Sequence, residues 1–165
     1  MVLAGEVTNQ AADVNKLIRM IAVTEGNLDA ADIDDSPEVV LADAGYCSEA
    51  NLQWIADTES NVLVATGRIK DGERTSDSPR GRIPKNATQR EHMARRLRTK
   101  QGRADYARRK AIVEPAFGQM KVKQAAGHLR LRGLAGAQGE WTLHVICHNL
   151  RKLANATQGA PPAVC

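Results

Sequence analysis

The sequence predicts an α/β protein, in which helices cover a sheet with parallel or mixed strands. Two runs, Val39–Ala42 and Val62–Ala65, are apolar without alternation, the pattern of strands buried on both faces. The stretch between them has helical periodicity, and helical patterns dominate the rest. At 165 residues the chain fits one domain with a core of its own.

Val2–Val7 is short, apolar and β-branched, which predicts a strand entering the fold. Ala11–Ala22 places Val14, Leu17, Ile18 and Ile21 at helical spacing, with Asp13 near the start where the dipole favours it. The acidic stretch 29–37 reads as a loop. After the strand 39–42, Gly45 lets the chain turn away, and Ser48 caps a helix that runs to about Asp57 with Leu52, Ile55 and Ala56 inward. Asn61–Thr66 holds the next strand. Residues 68–86, rich in Gly, Pro, Ser, Asp and basic side chains, predict a long mobile loop or insertion. Thr88 begins a basic helical segment with Arg90, Arg95, Arg96, Arg98 and Lys100, which Gly102 is expected to interrupt. A further helix is expected over 105–120 and a last one over 138–156, followed by a disordered tail at 157–165. In the last helix Trp141 and the stripe Leu143, Ile146, Cys147, Leu150 and Leu153 are expected in the core.

The net charge of +4 conceals a division along the chain. Residues 1–60 carry two basic and twelve acidic side chains, a net of −10, whereas residues 61–165 carry twenty-one basic and seven acidic, a net of +14. So basic a segment attracts a polyanion, which makes nucleic acid the leading partner. With only five aromatic residues, base stacking is a poor mechanism, and phosphate contact by Arg and Lys is favoured. No apolar run is long enough to cross a membrane and no signal peptide is legible, so a cytoplasmic location is expected. Cys47, Cys147 and Cys165 lack metal-site spacing and read as thiols; His144 and His148, four apart on one helix, lack an evident third ligand.

Two carboxylates stand out. Asp43 closes a buried strand, the end of a sheet where α/β proteins bind ligands, although an Asp there is also an ordinary turn or cap residue. Glu114 lies in a basic helix, where at 100° per residue Arg103, Lys110 and Lys121 fall within about 40° of it. Such a carboxylate suits a metal ion with phosphates held by the cations, and equally a surface ion pair with Lys110 or Lys121. Pro115 cannot donate to the Ala111 carbonyl, so the helix is expected to kink at Glu114 or to begin near it.

These segments resemble the catalytic domain of bacterial insertion-sequence DDE transposases. The resemblance runs from Glu6–Asp13 through Ala42-Asp43-Ala44-Gly45-Tyr46 to the Glu114 helix, then to Arg132-Gly133-Leu134, Glu140-Trp141 and Asn149-Leu150. Tyr106, Arg109, Glu114 and Lys121 match the family's Tyr, Arg, Glu and Lys signature, with the Arg-to-Glu gap one residue longer, so that Arg108 is the alternative to Arg109. The resemblance implies a ribonuclease-H-like core, truncated at its N-terminus, over residues 1–156. It implies Asp43 and Glu114 as catalytic ligands of Mg²⁺ or Mn²⁺, and Tyr106, Arg108, Arg109, Lys110 and Lys121 as DNA-contacting residues. It also implies transposon ends and target DNA as partners, together with a full-length transposase or an upstream fragment. The first Asp of the triad has no counterpart here, so the chain alone is expected to lack transposase activity and to fold poorly, leaving strand edges unpaired. The other functional expectations are a non-catalytic DNA-binding or regulatory fragment and an inert remnant.

Overall fold

In the computed structural model, which describes residues 1–12, 14–67 and 79–158 apart from the side chains of residues 110, 114 and 158, two short strands form the sheet. Strand β1 (Val40–Ala42) pairs in parallel with β2 (Val62–Val64), with Val40 opposite Val62 and Ala42 opposite Val64. Parallel pairing needs a crossover, and helix α2 (Glu49–Asp57) provides it. Every residue of β2 is buried, as its continuous apolar run predicts.

The chain divides into two compact units. The central unit is Gln10–Ala111, and the second joins Met1–Asn9 to Ile112–Cys165. In the central unit a short 3-10 turn, Val14–Lys16, leads into α1 (Leu17–Ala30), which extends beyond the helix expected from periodicity. Leu17, Ala42, Leu52, Ile55, the β2 residues and Met93 form the core. Ser48 caps α2 as expected, its Oγ accepting from the Asn51 N–H at 3.2 Å. The inner face differs by one residue from the expectation: Ala56 is exposed, and Asn51 is buried instead. Its amide donates to the carbonyls of Val14 at 2.7 Å and Tyr46 at 2.8 Å, tying the 3-10 turn before α1 to the turn after β1.

Helix α3 (Gln89–Arg98) begins at a capping box. Thr88 Oγ1 accepts from the Glu91 N–H while the Glu91 carboxylate accepts from the Thr88 N–H at 2.8 Å, which holds the Glu91 pKa low. The break before α4 (Lys100–Lys123) is at Thr99, not Gly102. Thr99 Oγ1 accepts from the Gly102 N–H at 3.0 Å and donates to the Arg96 carbonyl at 2.7 Å, so it caps α4 while closing α3. Gly102 lies inside α4, where a Cβ would come within 2.0 Å of the Arg96 oxygen. Its role is close approach rather than interruption.

Helix α4 continues through Pro115. The carbonyl deprived of its partner is that of Ala111, the last residue of the central unit. In the second unit α4 ends near Ala125, which adopts a left-handed φ of 55°. Helix α5 (Gly133–Gln158) is longer than expected and includes the first two residues of the expected tail; residues 159–165, like 68–78 of the expected loop, lie outside the described residues.

The segment Val2–Val7 is not a strand. It runs extended and is held by two amides of α5. Asn149 accepts from the Val2 N–H and donates to the Val2 carbonyl, both at 2.8 Å. Gln138 accepts from the Val7 N–H at 2.7 Å and donates to the Gly5 carbonyl at 3.0 Å. The two amides are eleven residues apart, so they share a helix face and are separated by about 16 Å, the length of about five extended residues. Beside them Trp141 stacks on Phe117 with ring centroids 6.1 Å apart, and its indole lies so close to Gly5 that a Cβ there would be 2.6 Å from Nε1.

The buried face of α5 also departs from expectation. Leu143, Ile146, Leu150 and Leu153 are exposed, whereas His148 is 2% exposed and Trp141, His144, Val145 and Asn149 are partly buried. Polar residues occupy the inner face because they have partners there: Asn149 holds Val2, and Glu140 accepts from the Arg130 and Leu131 N–H groups at 2.6 and 2.9 Å. His148 is the exception, its Nε2 being buried without a hydrogen-bond partner among the described residues.

Candidate functional site at the end of strand β1

The end of β1 is fixed from two sides. The Ala42 carbonyl accepts from the Ala65 N–H at 3.2 Å and from the Tyr106 hydroxyl of α4 at 3.1 Å, so both of its lone pairs are used. Asp43 follows in extended conformation and opens a 3-10 turn, Ala44–Tyr46, as the Asp43 carbonyl accepts from the Tyr46 N–H at 3.0 Å. This turn does not require a glycine. Gly45 has no positive φ, and a Cβ there would meet nothing within 4 Å.

The Asp43 carboxylate, 57% exposed, forms an ion pair with Arg109, 24% exposed. The guanidinium carbon lies 5.7 Å from the centroid of the Tyr106 ring, the arrangement of a cation–π contact. Tyr106 and Arg109 are three residues apart on α4 and therefore reach the same strand end. Burial raises the pKa of the Tyr106 phenol, an effect that Arg109 opposes and Asp43 reinforces. The phenol thus stays a neutral donor to Ala42.

Of the residues singled out in the sequence, the structure brings together Asp43, Tyr106 and Arg109. Arg108 points elsewhere. It lines a hollow of about 350 Å³ at the start of the strands, with Glu38, Asn61, Arg96, Thr99 and Asp105. Lys121 is exposed on the part of α4 that belongs to the second unit. Lys110 and Glu114 lie in α4, but their side chains are outside the described set.

Several arginines of the basic segment serve the chain itself. Arg90 donates to the Thr66 carbonyl, Arg95 to the Gly81 carbonyl, and Arg96 to the Val62 carbonyl at 3.4 Å and Asn61 Oδ1 at 2.9 Å. Charge counting along the sequence missed this use, and the carbonyls at the strand ends carry no compositional signal. Glu140 was likewise unassigned a role; its position ten residues after Arg130 was the available signal.

The donor set does not by itself fit a divalent ion. Among the described residues no group of three or more His, Cys, Asp or Glu side chains is gathered, and the Asp43 carboxylate already carries a guanidinium. Cys47 and Cys147 are free thiols. No helix among the described residues is long and apolar enough to cross a membrane.

Residues 73–154 match a family model described as a transposase DDE domain. That span includes all of α3 and α4 and most of α5, and so contains Tyr106, Arg109, Glu114 and Lys121; Asp43 precedes it. No curated protein and no solved structure matches the chain. Transposase DDE domains act on DNA with divalent metal ions. Over residues 73–154, just under half of its length, the chain is therefore similar to the transposase DDE domain family.

Proposed function

We propose that this chain takes part in DNA transposition as a portion of a ribonuclease-H-like catalytic domain, acting on transposon ends and target DNA in the cytoplasm. The observation that carries the reading is the contact of α4, a helix inside the family-matched segment, with the carboxylate-bearing end of β1 through Tyr106 and Arg109. The parallel β1–β2 pair joined by a helix is compatible with such a core. Asp43 and Glu114 are the proposed catalytic carboxylates and ligands of Mg²⁺ or Mn²⁺. Arg108, Arg109, Lys110 and Lys121 are the proposed phosphate contacts, with Tyr106 fixing the strand end beside them. A carboxylate set of two is short of what two-metal strand transfer uses, so the chain alone is proposed to be inactive and to need a further Asp from a full-length transposase or an upstream fragment.

The test has two stages. Binding to a transposon-end duplex should weaken steeply with salt, by a slope of about −0.9 for each phosphate contacted. When the chain is joined to or mixed with a partner that supplies the missing strand and Asp, strand cleavage should appear and be abolished by Asp43→Ala or Glu114→Ala. Cleavage that survives both substitutions refutes the catalytic assignment. Salt-dependent binding without cleavage in every complemented form favours a second reading, a DNA-binding or regulatory fragment, for which the basic charge of residues 61–165 is the motivating observation.

A further inference from the structure

We propose that α5 pairs, antiparallel, with α5 of a second copy of this chain through its exposed leucine and isoleucine face. The pairing uses none of the residues assigned to DNA or metal and stands apart from that reading. Leu143, Ile146, Leu150 and Leu153 are between 47% and 62% exposed, whereas His148 is buried. At 100° per residue the four side chains fall within an arc of about 80°, and His148 lies diametrically opposite. The helix thus seats one face in its own unit and leaves a second, apolar face that no described residue covers.

The spacing identifies the occupant. The intervals of three, four and three are the a/d alternation of a coiled-coil seam, and they read the same in both directions. Under a two-fold axis beside residue 148, Leu143 meets the partner's Leu153 and Ile146 meets the partner's Leu150, so the face is complementary to itself. Both a positions hold Leu, not the β-branched residue that favours a parallel two-stranded pair. From residue 142 to 157 every a, d, e and g position is uncharged, the depletion expected at the centre of an interface. The charges of the helix lie at its flanks, with Glu140 towards one end of the seam and Arg151 and Lys152 towards the other. Antiparallel pairing sets these unlike charges side by side, whereas parallel pairing sets like beside like. Each copy exposes on the order of 400 Å² of Leu and Ile surface in this band, a patch of the size that marks interaction sites. With the small flanking side chains the pair buries about 1,200 Å² in total, the lower end of specific interfaces, so a dimer dissociating in the micromolar range is expected.

The experiment is sedimentation equilibrium of the full chain over a range of concentrations. The wild type should fit a monomer–dimer equilibrium, and Leu150→Glu, which puts a charge near the axis in both copies, should weaken it about 100-fold or more. Val122→Glu, at another exposed apolar side chain of the same unit, should leave it unchanged. Leu150 is exposed in the single chain, so the far-UV circular dichroism spectrum should not change in Leu150→Glu. A second measurement keeps the seam itself unaltered. In a Cys47→Ser, Cys165→Ser background, Cys147 is exposed beside the seam and one residue from the axis, so a short bismaleimide should join it to its mate in the dimer. A chain that stays monomeric into the millimolar range overturns the proposal, as does a trimer or larger assembly. A dimer indifferent to Leu150→Glu, or one in which Cys147 is not joined, places the interface elsewhere or in another orientation and equally overturns it.

Discussion

Substitution of Asn149 by Ala removes both hydrogen bonds that hold the Val2 peptide against α5, each 2.8 Å long. A neutral hydrogen bond contributes on the order of 1 kcal/mol net, and the Val2 groups are only partly buried, so water replaces part of what is lost. The expected cost is about 1–2 kcal/mol for the second unit. Gln138→Ala removes a similar pair, to Gly5 and Val7, and should cost a comparable amount. Trp141 reports on this region through its stacking on Phe117 and contact with Gly5, so urea unfolding is followed by its fluorescence in a Trp54→Phe background. The decisive comparison is a chain lacking residues 1–8. There the extended segment is gone, and Asn149→Ala should cost less than about 0.5 kcal/mol, within the range of ordinary surface changes. A cost in the truncated chain equal to that in the full chain would show that Asn149 stabilises α5 by another route, and a negligible cost in both would refute the clamp.

Three further outcomes follow from single features. Burial lowers the His148 pKa, with Lys152, the N-terminal amine and Arg151 adding repulsion. The unfolded chain then binds more protons, so this stabilisation is fully present above the unfolded value of 6.5, is lost as the pH falls from there through the lower folded value, and should shrink in His148→Gln when urea midpoints are compared across pH. Ala125→Gly relieves a left-handed φ of 55° and should stabilise the second unit by about 0.5–1 kcal/mol after the added entropy of the unfolded glycine, a gain that urea denaturation reads directly. Gly102→Ala places a Cβ against the Arg96 carbonyl and should destabilise the central unit by about 1–3 kcal/mol, whereas Gly45→Ala should be nearly neutral; equal effects at the two glycines would contradict the assigned roles.

Features governed by neighbours in the chain were legible beforehand. Ser48 and Thr88 cap their helices because the donors they satisfy are three residues away, and the buried strand 62–64 follows from a run of apolar residues too uniform to face water. The family signature led to Tyr106 and Arg109, although their use on Ala42 and Asp43 depends on a strand sixty residues earlier. Misreadings occurred where a distant partner changed the value of a side chain. Val2–Val7 has strand composition but satisfies its peptide groups with amides from α5. The leucine stripe of α5 looked like a core face, yet it is His148 that is buried, and Asn149 is partly buried where it holds the Val2 backbone. Gly45 and Gly102 exchanged significance for the same reason: what a glycine permits depends on what approaches it.

The amides of α5 act as a ruler. A helix advances about 1.5 Å per residue and an extended chain about 3.3 Å, so Gln138 and Asn149 convert eleven helical steps into a fixed count of five along the N-terminal segment. One residue inserted between Gly5 and Val2 leaves only one of the two graduations in register, and no shift of the segment as a whole restores both. The length of an otherwise featureless N-terminal stretch is thereby tied to the sequence of a helix more than a hundred residues away.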